Sequence, residues 1–383
     1  MIFSEQYFAR YQNVPTFFEC VPEKNVGWIV VIPCYDDDFA FKTLSSLENT
    51  ENTEFAIEVI VVVNSGENTP REIVEENKRI FDKLKKQSED SYYKKFRLLP
   101  ILIENVPRKI AGVGNARKIG MDEAVRRFSR IEKPNGIIAS LDADCLVSES
   151  YFSTIEKTAI ENPKVGGFVF EFQHDFDDHI YSSAEIVACQ AYENYLRYYK
   201  SSLKMTGFPH SFHTIGSCFA VRAESYAKVG GMSRRQGGED FYFLHKLAQM
   251  TGIVEIDETL VFPSPRISSR VPFGTGPTVK NIIEKGEFQV YPFESFLILK
   301  RFFDSFDRFS ANKKVEMNEI PLEIIRFAGE TNLQKIFDEC FANAKQGQNL
   351  KKRLFSKFDA FFVVKFLNYI EADRKNAEKF RQE

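Results

Sequence analysis

Tryptophan is almost missing from these 383 residues, occurring once, at Trp28, against 38 phenylalanines. Cysteine is sparse and scattered: Cys20, Cys34, Cys145, Cys189, Cys218 and Cys340 form no CxxC pair and no regular spacing. Such usage argues against a disulfide framework or a zinc site and predicts reduced thiols in a cytoplasm-like compartment. No apolar run approaches the roughly 18 residues that a membrane-spanning helix needs. A basic start with an apolar core is also lacking, since Glu5 and Arg10 sit among the first aromatics, so no secretory leader is expected. The net charge of -3 offers no basic footprint, and no nucleic-acid partner is expected. What remains is 43% hydrophobic and 27% charged, ordinary for a water-soluble chain and long enough for two domains.

The stretch around which the rest is organised runs from Gly136 to Cys145, GIIASLDADC. Its apolar part reads as a buried strand that ends in two acidic residues at i, i+2. Alternation puts Asp142 and Asp144 on one side and Ala143 on the other. Carboxylates at the carboxyl end of a parallel strand lie where open α/β sheets bind ligands, and a pair of them suits a hard divalent cation. Alone, the stretch reads equally well as a strand closing in a polar turn.

Upstream, Gly27–Ile32 and Glu58–Val63 are continuous apolar runs of the kind found in buried parallel sheets. The first is expected to stop at Pro33, with Asp36, Asp37 and Asp38 capping a helix over Phe39–Asn49. A charged helix over Arg71–Gln87 and a third strand near Phe96–Ile103 continue the alternation of a doubly wound, mostly parallel α/β sheet flanked by helices. Gly112-Val113-Gly114 opens a helix, but Arg117 stands where a dinucleotide fingerprint needs its third glycine, and no glycine follows Ile32. The better expectation is a helix start that carries Arg117 and Lys118 toward a phosphate.

Further on, a helix over Ala223–Val229 closes on Gly230-Gly231. Gly237-Gly238-Glu239-Asp240 then heads a helix over Phe241–Met250, with two carboxylates at its positive end. The Pro-, Gly- and Ser-rich segment 263–277 carries Arg266 and Arg270, which can clamp an anionic group or merely decorate a surface loop. From about residue 290 amphipathic helices take over, at Phe293–Phe309, Pro321–Phe327, Asn332–Ala344 and Leu350–Arg381. In the last, Phe355, Phe358, Phe362, Phe366 and Tyr369 recur at helical spacing, as expected for a stripe packed on the neighbouring domain or laid on a membrane surface.

The order of these pieces resembles the family 2 glycosyltransferases. Ile29–Asp38 resembles their opening strand, with Asp36 in place of the usual Asn. Val61–Gly66 resembles the second strand, with Val63 and Asn64 where two acidic residues are usual. Ala116-Arg117-Lys118 is similar to an Ala-Arg-Asn helix start, and Leu141-Asp142-Ala143-Asp144 looks like the DXD motif. Ser217–Met232 resembles the acceptor-side segment and Gly238-Glu239-Asp240 the ED motif. The resemblance spans residues 27 to about 276 and does not reach residues 290–383.

It implies a GT-A fold in residues 1–290, with a helical C-terminal extension in residues 291–383. It also implies transfer of a sugar from a nucleoside diphosphate sugar to a hydroxyl of a glycan or lipid-linked acceptor. Pro33, Tyr35, Asp37, Asn64, Arg117, Asp142, Ala143 and Arg270 are then expected on the donor, and Asp142 and Asp144 on Mn2+ or Mg2+. Asp240 is the expected base, with Glu239 second to it, and His210 or His213 a third metal ligand. The expected chemistry is inverting; a retaining transferase or a silent glycan-binding module on the same fold are the alternatives. The place expected for such an enzyme is the cytoplasm, with peripheral contact at the inner face of the membrane through the C-terminal helices.

Overall fold

The computed structural model describes residues 3–10, 15–177, 179–267, 274–286, 288 and 290–382. Along the chain, α1 (Glu5–Arg10), β1 (Val26–Cys34), α2 (Ala40–Glu48), β2 (Ala56–Gly66), α3 (Arg71–Glu89) and β3 (Phe96–Val106) come first. Next are α4 (Val113–Arg130), β4 (Ile137–Ser140), β5 (Cys145–Val147), α5 (Tyr151–Glu161), β6 (Gly167–Phe172) and α6 (Ser183–Met205). Then follow β7 (Phe219–Arg222), α7 (Ala223–Lys228), α8 (Glu239–Thr251), β8 (Ile253–Pro263) and α9 (Thr275–Lys285). The closing helices are α10 (Phe293–Asn312), α11 (Leu322–Ala328), α12 (Glu330–Asn343), α13 (Gln348–Lys357) and α14 (Ala360–Gln382).

The chain divides into two compact units. Residues 1–193 and 213–287 form the first, and residues 194–212 and 288–383 the second. In the first, an eight-stranded sheet has the order β3-β2-β1-β4-β7-β6-β8-β5. Strands β1, β2, β3 and β4 pair in parallel, as do β6 and β8, whereas β7 runs against both its neighbours and β5 against β8. The Val- and Ile-rich runs of β1 and β2 are buried on both faces, as a parallel interior requires. The helix α4 lies on them, its Gly120 so close that an added Cβ would meet Val31 at 2.4 Å. Because β2 lies on one side of β1 and β4 on the other, strand order reverses between β1 and β4, which opens a crevice at their carboxyl ends.

Pro33 does not stop β1, contrary to the expectation from sequence. The strand runs on to Cys34, and Pro33 pairs opposite Val62. Leu141 N–H donates to the Val31 carbonyl, so Val31, and two residues on Pro33, face β4. The β4 ladder ends with Ser140 opposite Val31. The donor that proline lacks therefore points where the ladder has already stopped.

In the second unit the aromatic stripe of the C-terminus forms the core. Phe302 and Phe358 meet edge to face at 5.0 Å, Phe355 packs on Phe303 and Phe306, and Phe362, Phe366 and Tyr369 surround Phe327. The single helix expected over Leu350–Arg381 is broken in two. Phe358 leaves helical geometry, and Asp359 Oδ1 accepts the Phe362 N–H at 3.0 Å, capping α14. No described helix is long and apolar enough to cross a membrane.

Candidate active site

Three acidic strand and helix ends meet at the crevice. Past β1, the backbone turns through Asp36 at a φ of 49°, where Asp36 N–H donates to Asn77 Oδ1 at 2.8 Å. Asn77, buried on α3, also donates through Nδ2 to the Asn64 carbonyl at 3.1 Å, so one side chain ties the ends of β1 and β2 together. Pro33, Asp37 and Asn64 are buried there and Tyr35 is half-buried. Ala143 is also buried, its carbonyl accepting Thr43 Oγ1 at 2.7 Å.

Asp142 and Asp144 follow β4, as expected, and each is held by an arginine. Arg117, on α4, gives Nη2 to Asp142 Oδ1 at 2.5 Å and Nη1 to Glu239 Oε1. The ion pair between Arg117 and Glu239 is almost wholly buried, their side chains 3% and 2% exposed. Burial alone would lower the pKa of the Arg117 guanidinium. The Asp142, Glu239 and Asp240 carboxylates around it outweigh that and hold it above its ordinary value. Two glycines make this arrangement possible. Gly216 leaves room for the guanidinium, and Gly238, at a φ of 69°, turns the chain into α8 so that Glu239 faces inward.

Lys118 does not face a phosphate, which corrects the reading from sequence. Its Nζ is buried on the other side of α4, 2.8 Å from the Tyr7 hydroxyl and 2.9 Å from Asp122 Oδ2. One residue further round a helix points about 100° away, and here that turn takes Lys118 to Tyr7 and Asp122 while Arg117 meets Asp142 and Glu239.

Asp144 receives Arg266 Nε at 3.0 Å. Burial pushes the Asp144 carboxyl up, Arg266 pulls it back, and the neighbouring Asp37 and Asp142 charges raise it further. Asp240 lies just inside α8, with Oδ1 accepting the Phe241 N–H at 2.7 Å. Burial, then the adjacent Glu239 charge, push its carboxyl up to about 7 against the pull of Arg117. Burial also pushes up the thiols of Cys145 and Cys218, which removes them as nucleophiles.

The structure therefore brings Arg117, Asp142, Asp144, Glu239 and Asp240 into one linked set and places Asp37 beside Asp144. His213 Nε2 lies 3.8 Å from Glu171, and its ring packs on Phe172. His210 belongs to the second unit, its ring beside Phe208. Among the described residues no three His, Cys, Asp or Glu side chains gather as a metal cluster. Arg270 lies outside the described residues.

Sequence reasoning missed Asn77 and Gly216. Asn77 carried a signal, a polar residue on the same helical stripe as Ile80 and Leu84. Gly216 carried none, because its neighbour Arg117 is 99 residues away.

A mostly parallel sheet with a crevice at its switch point, lined by paired carboxylates and arginines, is the arrangement in which open α/β enzymes bind their ligands. The family description "Glycosyl transferase family 2" matches residues 29–230. That is more than half of the chain, which belongs to this family: it is a glycosyltransferase of mixed α/β, GT-A-like architecture.

Among solved structures, residues 1–349 of S. aureus TarS in complex with UDP-GlcNAc are similar at 12% identity and a TM-score of 0.46, covering 87% of this chain and 92% of that one. The mannosyltransferase PcManGT from Pyrobaculum calidifontis, in complex with GDP-Man and Mn2+, is similar at 15% identity and a TM-score of 0.39, covering 96% and 86%. No curated protein matches the chain in sequence.

Proposed function

We propose that this family 2 enzyme transfers a glycosyl group, with inversion, from a nucleoside diphosphate sugar to a hydroxyl of a glycan or lipid-linked acceptor. One observation carries the reading: Arg117 joins the donor-side Asp142 to the helix start that presents Glu239 and Asp240. In the reaction, the acceptor oxygen attacks the anomeric carbon, its proton passes to an Asp240 carboxylate oxygen, and the carbon–oxygen bond to the diphosphate breaks. The diphosphate leaves with the electron pair through an oxocarbenium-like state.

Asp240 suits the base because its carboxyl is pushed up to about 7, close to working pH. Glu239 suits it less, since its buried carboxylate is already paired with Arg117. The nucleoside falls to Pro33, Tyr35, Asp37, Asn64 and Ala143 at the ends of β1, β2 and β4, where ligands of open α/β sheets bind. Arg117 acts from beneath, fixing Asp142 in register with α8.

The donor set fits a hard divalent cation, Mn2+ or Mg2+. Among the described residues no arginine takes Asp142 Oδ2 or Asp144 Oδ1, and these side chains are 35% and 26% exposed. Bound there, the cation would offset the charge growing on the diphosphate. The experiment is a nucleoside diphosphate sugar panel with Mn2+, with candidate glycan and lipid-linked acceptors, measuring released nucleoside diphosphate and the anomeric configuration of the product. Release with an inverted anomer is expected. A retained anomer would overturn the inverting step, and no release with any donor would leave a binding module.

A further inference from the structure

Arg266 ties three strand ends together. Its Nε and Nη2 lie 3.0 Å and 2.9 Å from Asp144 Oδ2, past β4. Its other edge reaches Asp37, past β1, with Nη1 3.1 Å from Oδ1 and Nη2 paired with Oδ2. The backbone past β8 sets this up. Ser264 N–H donates to the Asp144 carbonyl at 3.1 Å, and Ser264 Oγ accepts the Arg266 N–H at 3.2 Å. Asp37 is buried, while Arg266 and Asp144 remain partly open to the crevice. A single guanidinium thus stands between two carboxylates in the place where donor and cation are proposed to bind.

We propose that Arg266 is a placeholder cation, a positioning residue that makes divalent-cation binding depend on the nucleoside diphosphate. The inference rests on the cation reading above. In the absence of nucleotide, a cation approaching Asp144 meets a carboxylate already paired with a guanidinium. It must displace that group or share the carboxylate against like-charge repulsion. A diphosphate offers the guanidinium another anion that its fork matches. Releasing Asp144 then costs less, and by linkage cation and nucleotide raise each other's affinity. Asp37, which makes two contacts to the same fork, holds Arg266 beside the crevice and sets how readily it leaves.

The test measures Mn2+ uptake by the full chain from the paramagnetic resonance of free Mn2+, first alone and then with uridine or guanosine diphosphate. Arg266→Ala is expected to bind Mn2+ alone about tenfold more tightly than the unmodified protein, and to gain less from nucleotide. Arg266→Lys keeps the charge but cannot span both carboxylates, so it should fall between the two. If thermal denaturation shows Arg266→Ala to be unfolded, the lysine variant carries the comparison. Equal Mn2+ affinity without nucleotide in the unmodified protein and the folded variants would overturn the placeholder role and leave the cation reading standing. Failure of all three to take up Mn2+ even with nucleotide would overturn both.

Discussion

Gly216 and Arg117 compete for the same volume: a Cβ added at Gly216 would lie 2.6 Å from Arg117 Nη2 and 2.9 Å from Cζ. The guanidinium is the far end of a long side chain, which would ordinarily swing aside. Here Asp142 and Glu239 hold both arms of its fork, so it has no free retreat. Gly216→Ala should therefore destabilise the protein by about 1–3 kcal/mol in urea denaturation, the usual range for an overpacked interior. It should also lower kcat/KM, because a displaced Arg117 no longer aligns Asp142 with α8. A variant as stable and as active as the parent would show that Gly216 does not set the place of Arg117.

Removing the guanidinium itself is the harsher change. Arg117→Ala leaves Glu239 buried without its ion-pair partner, and breaking a buried pair from one side costs about 3–5 kcal/mol. Neutralising the stranded carboxylate as well, in the double variant with Glu239→Gln, should return part of that loss. Chemical denaturation of both singles and the double gives the coupling. Strict additivity would mean that the pair contributes nothing of its own.

Much of this architecture was legible because its signals are local. Apolar runs bounded by polar turns marked β1, β2 and β4, and the carboxylates at 142, 144, 239 and 240 declared themselves at the ends of elements. What escaped depends on partners far along the chain. Pro33 is tolerated because β4 ends early, and Lys118 turns away because Tyr7 and Asp122 claim it. Arg266 was visible as a loop cation, but its bridge to Asp37 spans 229 residues. The break between α13 and α14 was local yet missed, since the helical spacing of the aromatic rings runs across Asp359 without interruption.

Asn77 should matter more than one polar side chain on a helix ordinarily does. It satisfies the Asp36 N–H and the Asn64 carbonyl at once, fixing the ends of β1 and β2 that are proposed to hold the nucleoside. Asn77→Ala removes one hydrogen bond from each of these backbone groups, at about 0.5–1.5 kcal/mol per bond. Calorimetry with nucleoside diphosphates should show weakened binding by Asn77→Ala. Unchanged affinity in Asn77→Ala would place the nucleoside elsewhere.

Asp240 links pH to both catalysis and stability, with opposite signs. As the base it must be ionised, so kcat/KM should rise as pH increases and level off above about 7, where its carboxyl titrates in the folded protein. Asp240→Asn should lose most of the transfer and all of that rise. In the folded state the carboxyl keeps a proton that the unfolded chain, with an ordinary carboxylate near 3.8, has already released. The contribution to stability is therefore present below about 4 and is lost as pH climbs through about 7. Asp240→Asn carries no such penalty. Its melting temperature relative to the parent should thus increase across that window, by a few degrees, and stay constant above it. Parallel pH–stability curves for the two proteins would mean that Asp240 titrates as an ordinary carboxylate, and the rise in activity would then need another base.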